Sequence, residues 1–239
     1  MHYTDTGYSM PLLTESTKED QYSILFDVVN EHGVSNFGLM ANESWNNDPK
    51  RTLFTLSRYK FVSRLLAGST SVLEVGCADA FGTRIVQQSV QQLTAIDFDP
   101  VFIDDIRNRY NPKWPFNYFE HDMLSGPVKS IFDAVYCLDV LEHIDPTDEH
   151  LFICNCLESL APNGVFIVGI PSLESQIYAS PQSKQGHVNC KTAVQLKSFL
   201  NSYFDNVFIF SMNDEVIHTG FYPMAHYLFA LCCSPRLHT

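Results

Sequence analysis

The sequence predicts an α/β fold, a mostly parallel β-sheet with helices on both faces. From residue 71 onward, short apolar runs alternate with helix-like segments. The first run, Ser71–Val75, leads into a loop of small residues at 76–80 and then into a helix-like stretch. A strand, a tight loop and a helix in this order let the backbone approach a ligand closely. Acidic residues also lie in or directly after four successive strands: Glu74, Asp97, Asp122 and Asp139.

Length and composition indicate a globular chain with a substantial core. The 239 residues suffice for one α/β domain with an extension, or for two small domains. The net charge of −12 argues against binding to bulk nucleic acid, because phosphate contacts need basic patches. Five basic residues at helical spacing are the best candidate for such a patch, and we interpret them as a solvated helix face: Lys50, Arg51, Arg58, Lys60 and Arg64.

We expect neither a secretory signal nor a membrane span. The segment 1–13 lacks a basic start and a long apolar core, and we find no run of about 18 apolar residues. The seven cysteines lie mostly in or beside apolar runs and include no C-x-x-C pair. We therefore expect no metal site and a reducing, cytoplasmic setting.

Residues 1–67 are predicted to form an N-terminal helical extension or cap, and residues 68–239 the main domain. The extension begins with a polar arm at 1–20. A helix at 19–31 ends at Gly33, a loop covers 33–47, and Asp48-Pro49 opens a helix to Leu66. The extension either packs across the ligand loop or is a simple structural cap.

The remaining elements follow in order. Strands are predicted at 71–75, 93–96, 116–119, 132–138, 165–170, 206–210 and 227–232. Helices are predicted from about 79, from Asp99-Pro100 to 110, from Asp145-Pro146 to 160, and over 192–203. The segment at about 172–190 is predicted to be mostly irregular and to form a lid.

Two nucleotide-type ligands compete for the loop at 76–80. A dinucleotide needs G-x-G-x-x-G spacing to hold its pyrophosphate, and this loop has Ala78 and Ala80 instead. Asp79 would also repel a pyrophosphate. A cationic, phosphate-free adenosine derivative such as S-adenosylmethionine suits the acidic strand ends better. Asp97 can accept both ribose hydroxyls, and Asp122 the adenine amine.

Four segments resemble the class I S-adenosylmethionine-dependent methyltransferases in order and spacing. They are VLEVGCAD at 72–79, AIDFDP at 95–100, FDAVYCLDVLEHI at 132–144 and LAPNGV at 160–165. The resemblance covers about residues 70–170 and implies a seven-stranded Rossmann-like sheet with an antiparallel last strand. The loop departs from the family at Ala78 and Ala80, where glycine is usual, and alanine fits there if the local φ is negative.

The resemblance also implies ten cofactor-binding residues. Glu74, Gly76, Cys77 and Ala78 would hold the methionine part, Asp97 and Phe98 the ribose and adenine, Asp122 and Met123 the adenine, and Leu138 and Asp139 the surroundings of the sulfonium. A hydroxyl acceptor usually needs a general base, most often histidine. The three catalytic candidates are His143 after the fourth strand, His187 in the lid segment and His218 between the last two strands.

The whole pattern is similar to bacterial methyltransferases that act on sugars or other small metabolites. We therefore expect methylation of an oxygen or nitrogen of a small polar molecule, with a sugar of a nucleotide sugar or surface glycan as the leading example. One alternative is a non-catalytic methyltransferase-fold module that serves as a partner subunit, and another is a dinucleotide enzyme. The sequence leaves open whether the chain forms a homodimer.

Overall fold

The computed structural model describes residues 17–236, so most of the predicted polar arm lies outside the described residues. The chain divides into two units, Met1–Phe37 and Gly38–Thr239. In the first unit, helix α1 (Ser23–His32) follows a 3-10 turn at Asp20–Tyr22. It ends at Gly33, whose φ of +71° is a conformation that favours glycine. The helix predicted at 19–31 is therefore present.

The second unit is built on an eight-stranded sheet in the order β3-β2-β1-β4-β5-β8-β6-β7. The strands are β1 (Ser71–Val75), β2 (Gln92–Asp97), β3 (Asn117–Glu120), β4 (Phe132–Leu138), β5 (Leu160–Pro171), β6 (Phe204–Asn213), β7 (Val216–His218) and β8 (Tyr227–Pro235). Strands β1 to β5 are parallel, and β8 lies antiparallel between β5 and β6. The α/β fold with an antiparallel last strand is confirmed.

The structure has one strand more than the predicted seven. Strand β7 pairs antiparallel with β6 across a two-residue turn, in which Asp214 takes a φ of +50°. This turn, Asp214-Glu215, lacks the glycine that usually signals a tight hairpin. The sequence pattern therefore did not indicate the hairpin.

Seven helices accompany the sheet within the described part of the second unit. They are α2 (Leu39–Asn47), α3 (Lys50–Leu65), α4 (Thr83–Gln87), α5 (Pro100–Asn108), α6 (Glu149–Glu158), α7 (Pro181–Gly186) and α8 (Ala193–Leu200). Of the loop predicted at 33–47, residues 33–38 are irregular as expected, and helix α2 occupies the remainder. Helix α6 starts later than predicted, because the Asp145 side chain accepts the Thr147 N–H in a local turn before the helix. None of the helices described is long and apolar enough to cross a membrane.

Apolar side chains cover both faces of the sheet. On one face, Tyr59, Val62 and Leu66 from the α3 region join a buried cluster that includes Val72 and Ala95 of the strands. On the other face, α6 and α8 contribute Phe152, Ile153, Leu196 and Leu200 to a second cluster with the sheet. Because the strands are covered on both faces, the open edge at their carboxyl ends is where a ligand can reach the loops.

Candidate functional site

The loop after β1, residues 76–81, is called the glycine loop here, and backbone hydrogen bonds fasten it to β2. The Gly76 and Cys77 N–H groups both donate to the Ile96 carbonyl, at 2.8 and 3.0 Å. The Ala78 N–H donates to Oδ2 of Asp97 at 2.8 Å. The loop is therefore positioned by the end of the neighbouring parallel strand before any ligand arrives.

Two further amides of the glycine loop are also used within the protein. The Ala80 N–H donates to the Cys77 carbonyl at 2.8 Å, and the Phe81 N–H donates to Oδ1 of Asp79 at 3.1 Å. A pyrophosphate site needs several free N–H groups that converge on the anion. Most N–H groups of this loop donate to acceptors within the protein and are not free to bind an anion. This arrangement favours a ligand that is cationic or neutral at this position.

The glycine loop turns sharply through three residues with positive φ. Gly76 has φ +74°, Ala78 +46° and Ala80 +53°. The condition under which alanine fits without strain, a negative φ, is therefore not met at either alanine. Their left-handed conformations cost roughly 1–2 kcal/mol each, and the amide hydrogen bonds of the loop hold them in place. A Cβ at Gly76 would lie 2.3 Å from Cγ2 of Val140, so this position also lacks room for a side chain.

Asp97 ends β2 and joins the glycine loop to the start of α5. Its Oδ1 accepts the Asp99 N–H at 3.0 Å, while its Oδ2 accepts the Ala78 N–H. Burial raises the pKa of Asp97, and the backbone donors partly offset that rise. A carboxylate has about four acceptor positions, so the two amides leave capacity for ligand hydroxyls. Next to it, the Phe98 ring is 69% exposed and offers a flat surface.

The segment after β3 brings Asp122 and Met123 to the same edge. Oδ1 of Asp122 accepts the Leu124 N–H at 2.8 Å, and the side chain is exposed. Met123 is buried, and its carbonyl accepts the Asn155 amide at 2.5 Å. The sequence-predicted adenine contacts thus lie after the strand that neighbours β2, and their roles stay predictions.

Glu74 is buried beneath helix α3 rather than exposed in the crevice. Tyr59 of α3 donates its hydroxyl to Oε1 of Glu74 at 2.8 Å. A Cβ at Gly82 would lie 2.1 Å from the Tyr59 ring, so glycine permits this close approach. Burial raises the pKa of Glu74 to about 7, although the Thr83, Tyr136 and Tyr59 hydroxyls lower it. Glu74 would have to be accessible to bind the methionine part of the cofactor, as predicted, but Tyr59 covers its carboxyl group.

Asp79 fastens helix α2 to the glycine loop. Its Oδ2 accepts the Ala41 N–H in the first turn of α2 at 2.8 Å. A negative charge at a helix N-terminus is stabilising. The Arg109 guanidinium donates to the Asp79 carbonyl at 2.6 Å and pairs with Asp105 at 2.8 Å. Asp79 therefore has a structural function that its place in the loop did not reveal.

Asp139 follows β4 and forms an ion pair with Arg58 of α3. Nη1 of Arg58 donates to both carboxylate oxygens at 2.9 and 2.7 Å, and the guanidinium lies 3.8 Å above the Tyr227 ring. The Arg58 side chain is only 17% exposed, so the solvated face predicted for residues 50–64 is wrong at this residue. Leu138, the preceding residue, is buried.

Beyond Asp139, three polar side chains meet: Glu142, His143 and His187. We call them the glutamate–histidine cluster, and their potential ligand atoms lie within 4.8 Å of one another. The two imidazole centroids are 5.2 Å apart. Glu142 is fully buried, and neither carboxylate oxygen has a hydrogen-bond partner among the described residues. Burial raises the pKa of Glu142 well above its usual value, and the Asp139 charge raises it further.

The third histidine candidate, His218, lies apart from the cluster. It is on β7, four strands from β4 in the sheet order. Its Nε2 pairs with Oδ1 of Asn213 at 2.9 Å, and its Nδ1 accepts the Gly220 N–H at 2.9 Å. Both ring nitrogens are thus engaged in the hairpin. The structure brings together His143 and His187 but not His218.

Sequence reasoning did not find Arg58 or Glu142. Arg58 is one of several basic residues with similar spacing, and only the tertiary structure shows which one faces Asp139. Glu142 lies inside the segment 132–144 that resembles the methyltransferases. An acidic residue directly before a candidate histidine was the sequence feature that could have indicated it. Its burial could not be read from the sequence.

Comparisons with known proteins relate part of the chain to one enzyme family. Residues 73–168 match the family model described as a methyltransferase domain. A probable S-adenosylmethionine-dependent methyltransferase of Mycolicibacterium smegmatis is 29% identical over 114 residues, covering 48% of this chain and 42% of the relative. A ubiquinone biosynthesis O-methyltransferase of Xanthomonas axonopodis pv. citri is 30% identical over 139 residues, covering 55% and 57%. The chain thus spans about half the length of these curated relatives.

Solved structures show the same fold. The N-methyltransferase NodS from Bradyrhizobium japonicum WM9, in complex with S-adenosyl-L-homocysteine, matches with a TM-score of 0.57 at 21% identity. The match covers 80% of this chain and 91% of that chain. At this identity the likeness concerns the fold alone.

Proposed function

Residues 73–168 form a methyltransferase domain with the class I fold, and on that premise we propose that this chain is an S-adenosylmethionine-dependent methyltransferase. The match confirms the predicted family resemblance and, for the domain type, the predicted cofactor. The observation that carries the proposal is the joining of the glycine loop to Asp97. This arrangement leaves carboxylate acceptors, and few amide donors, at the mouth of the site. Such a surface suits a cationic adenosine derivative.

The proposed donor site uses the residues that the sequence predicted. Asp97 accepts the ribose hydroxyls, Phe98 lies against the adenine ring, and Asp122 with Met123 contacts its edge. Gly76, Cys77 and Ala78 face the methionine part, whereas Glu74 lies behind the loop, covered by Tyr59, and would contact the cofactor only if Tyr59 moved. Leu138 and Asp139 border the reacting sulfonium. Transfer is an in-line displacement from an already activated donor, so the protein mainly positions the two reactants.

We place the acceptor near the glutamate–histidine cluster, beyond Asp139. One relative supports a small acceptor through its name, as an O-methyltransferase of ubiquinone biosynthesis. The finer proposal is an oxygen or nitrogen of a small polar molecule, with a sugar as the leading candidate. The net charge of −12 makes bulk nucleic acid a poor acceptor.

Compartment and assembly also belong to the proposal. All seven cysteines are free, although Cys137 lies close to Cys156 and Cys232, which suits a reducing compartment such as the cytoplasm. A homodimer is the assembly we would test for, by light scattering of the full chain.

The proposed function is tested by calorimetric titration of the full chain with S-adenosyl-L-homocysteine and, separately, with NAD. Binding of the first ligand alone supports the proposal. Binding of NAD alone supports the dinucleotide enzyme, and binding of neither supports the partner module; both results contradict the proposal. If the first ligand binds, transfer of a labelled methyl group to nucleotide sugars, phenols and amines then identifies the acceptor class, and labelling of no sugar contradicts the finer proposal.

A further inference from the structure

The glutamate–histidine cluster has the chemistry of a metal site. One carboxylate and two imidazoles offer ligand atoms within 4.8 Å of one another. They come from two separate segments, Glu142 and His143 from the turn after β4 and His187 from the end of α7. Two histidines and one carboxylate form a common ligand set for divalent transition metals.

Both imidazoles are already oriented by hydrogen bonds through the same ring nitrogen. Nδ1 of His143 lies 2.9 Å from the Gly186 carbonyl oxygen, and Nδ1 of His187 lies 2.8 Å from Oε1 of Gln176. Both partners are acceptors, so each neutral ring carries its proton on Nδ1. Each Nε2 then has a free lone pair, and the described residues supply it with no hydrogen-bond donor. Metal-binding histidines are typically held in this way by an acceptor on the second nitrogen.

The third group, Glu142, is a buried carboxylate without a partner. It has no exposed surface, and among the described residues neither oxygen accepts a hydrogen bond. Arg58 makes no hydrogen bond to it, although the Arg58 charge is near enough to lower the pKa of the carboxyl and so to offset part of the rise caused by burial. A buried polar group without a partner is costly. A cation held between this carboxylate and one nitrogen of each imidazole would supply the missing interaction.

We propose that Glu142, His143 and His187 bind one divalent transition-metal ion, such as Mn²⁺, Fe²⁺, Co²⁺ or Zn²⁺. Three protein ligands leave coordination positions for water or another oxygen donor. This proposal departs from the sequence-based expectation of no metal site. That expectation followed from cysteine spacing and did not consider a carboxylate with two histidines. It also gives His143 and His187 the function of ligands in place of that of a general base.

Metal binding would also fix the segment between β5 and α8 against the turn after β4. The Val188 and Asn189 N–H groups both donate to the Glu142 carbonyl at 2.9 Å, so the two segments are already joined beside the cluster. An ion shared by His187 and Glu142 would add a second junction. We therefore expect amide hydrogen exchange in the segment 172–190 to slow when metal is added.

The test uses the full chain without an affinity tag, freed of metal by a chelator and dialysed against Co²⁺. We expect one ion per chain and the visible absorption of a Co²⁺–imidazole site. Losing an outer partner of a metal ligand typically weakens metal binding by about 10–100-fold. Removing a direct ligand, in Glu142→Gln or His187→Ala, should weaken Co²⁺ binding by at least as much. Gln176→Ala, which removes only the outer partner of His187, should fall within that range.

His218→Ala is the matched control. Like His187, His218 is half-buried and pairs with a side-chain amide oxygen, but it lies outside the cluster. Its Co²⁺ affinity should equal that of the unaltered chain. Circular dichroism identifies any variant that fails to fold, and Gln176→Ala then supplies the decisive comparison.

Two results would overturn the proposal: no stoichiometric Co²⁺ binding by the folded chain, or equal binding by the ligand variants and the control. Because the titration contains no S-adenosyl-L-homocysteine, its outcome is independent of the proposed methyl transfer. A chain that binds the cofactor product but no metal would refute only the metal site, and the reverse result would refute only the transferase.

Discussion

The glycine loop and the glutamate–histidine cluster lie after neighbouring strands, yet they satisfy their polar groups in opposite ways. In the glycine loop, the N–H groups of Gly76, Cys77 and Ala78 all have partners within the protein. In the cluster, a buried carboxylate has none among the described residues, and each imidazole uses only one nitrogen. The polar groups of the first region have their hydrogen-bond partners without a ligand, whereas those of the second would gain theirs when a ligand binds. The difference separates a preformed cofactor crevice from a site whose final geometry depends on what it binds.

The largest effect expected from breaking the first region is at Gly76. Gly76→Ala combines a φ of +74° with a Cβ placed 2.3 Å from Val140. Strain of roughly 1–2 kcal/mol and overpacking of roughly 1–3 kcal/mol should together lower the free energy of unfolding by about 2–5 kcal/mol.

Gly68→Ala is the control for that change, because Gly68 has φ +88° and open space around its Cβ position. Urea denaturation should show only the strain, roughly 1–2 kcal/mol. Equal losses in the two variants would mean that Val140 gives way without cost and that the loop is not tightly packed.

The next effect concerns Glu74, whose pKa burial raises to about 7 from an ordinary value of 4.5. Between these two pH values the folded state binds more protons than the unfolded state. The free energy of unfolding should therefore fall as pH rises from about 4.5 to about 7, by about 3 kcal/mol, and stay level above that range as far as Glu74 is concerned.

Glu74→Gln should remove this part of the pH dependence, while it keeps an acceptor for the Tyr59 hydroxyl. Urea denaturation of both proteins at several pH values from 4.5 to 8 measures it. A variant whose stability falls with pH as steeply as that of the unaltered chain would show that Glu74 does not titrate in this way.

An intermediate effect is expected at the boundary between the two regions. Arg58→Met leaves Asp139 without its partner, and we expect a loss of about 2 kcal/mol of unfolding free energy, less than for a fully buried pair because Asp139 is half-exposed. Arg51→Met is the control, since Arg51 and Glu43 form an exposed pair at 3.2 Å. It should cost less than about 1 kcal/mol. Similar losses in thermal or urea denaturation would contradict the buried role of Arg58.

The smallest effect is expected at Ala78. Ala78→Gly removes the left-handed strain of roughly 1–2 kcal/mol but adds about 0.5–1 kcal/mol of unfolded-state entropy. The variant should be more stable by about 0.5–1 kcal/mol. Ala193→Gly, in the first turn of α8, should instead be less stable by about 1 kcal/mol. A destabilised Ala78→Gly would show that the loop conformation carries no strain.

The same contrast explains how far the sequence could predict the molecule. The strand pattern and the loop at 76–80 depend on local features, so the fold class and the place of Asp97 were predictable. Helix α2 was missed because Asp79, distant in sequence, accepts an amide of its first turn. The pairing of Arg58 with Asp139 and the meeting of Glu142 with His187 join segments far apart in the chain, and no local pattern records them.

The most direct test of the account is a calorimetric titration of Asp97→Ala and Asp99→Asn with S-adenosyl-L-homocysteine. Asp97 carries the proposed ribose contacts, whereas Asp99 caps α5 through the Val101 N–H at 2.9 Å and Asn preserves such a cap. Hydrogen bonds to a charged group contribute about 1.5–3 kcal/mol each, so Asp97→Ala should bind at least about tenfold more weakly, and Asp99→Asn like the unaltered chain. Equal affinity in Asp97→Ala and the unaltered chain would contradict the proposed cofactor site.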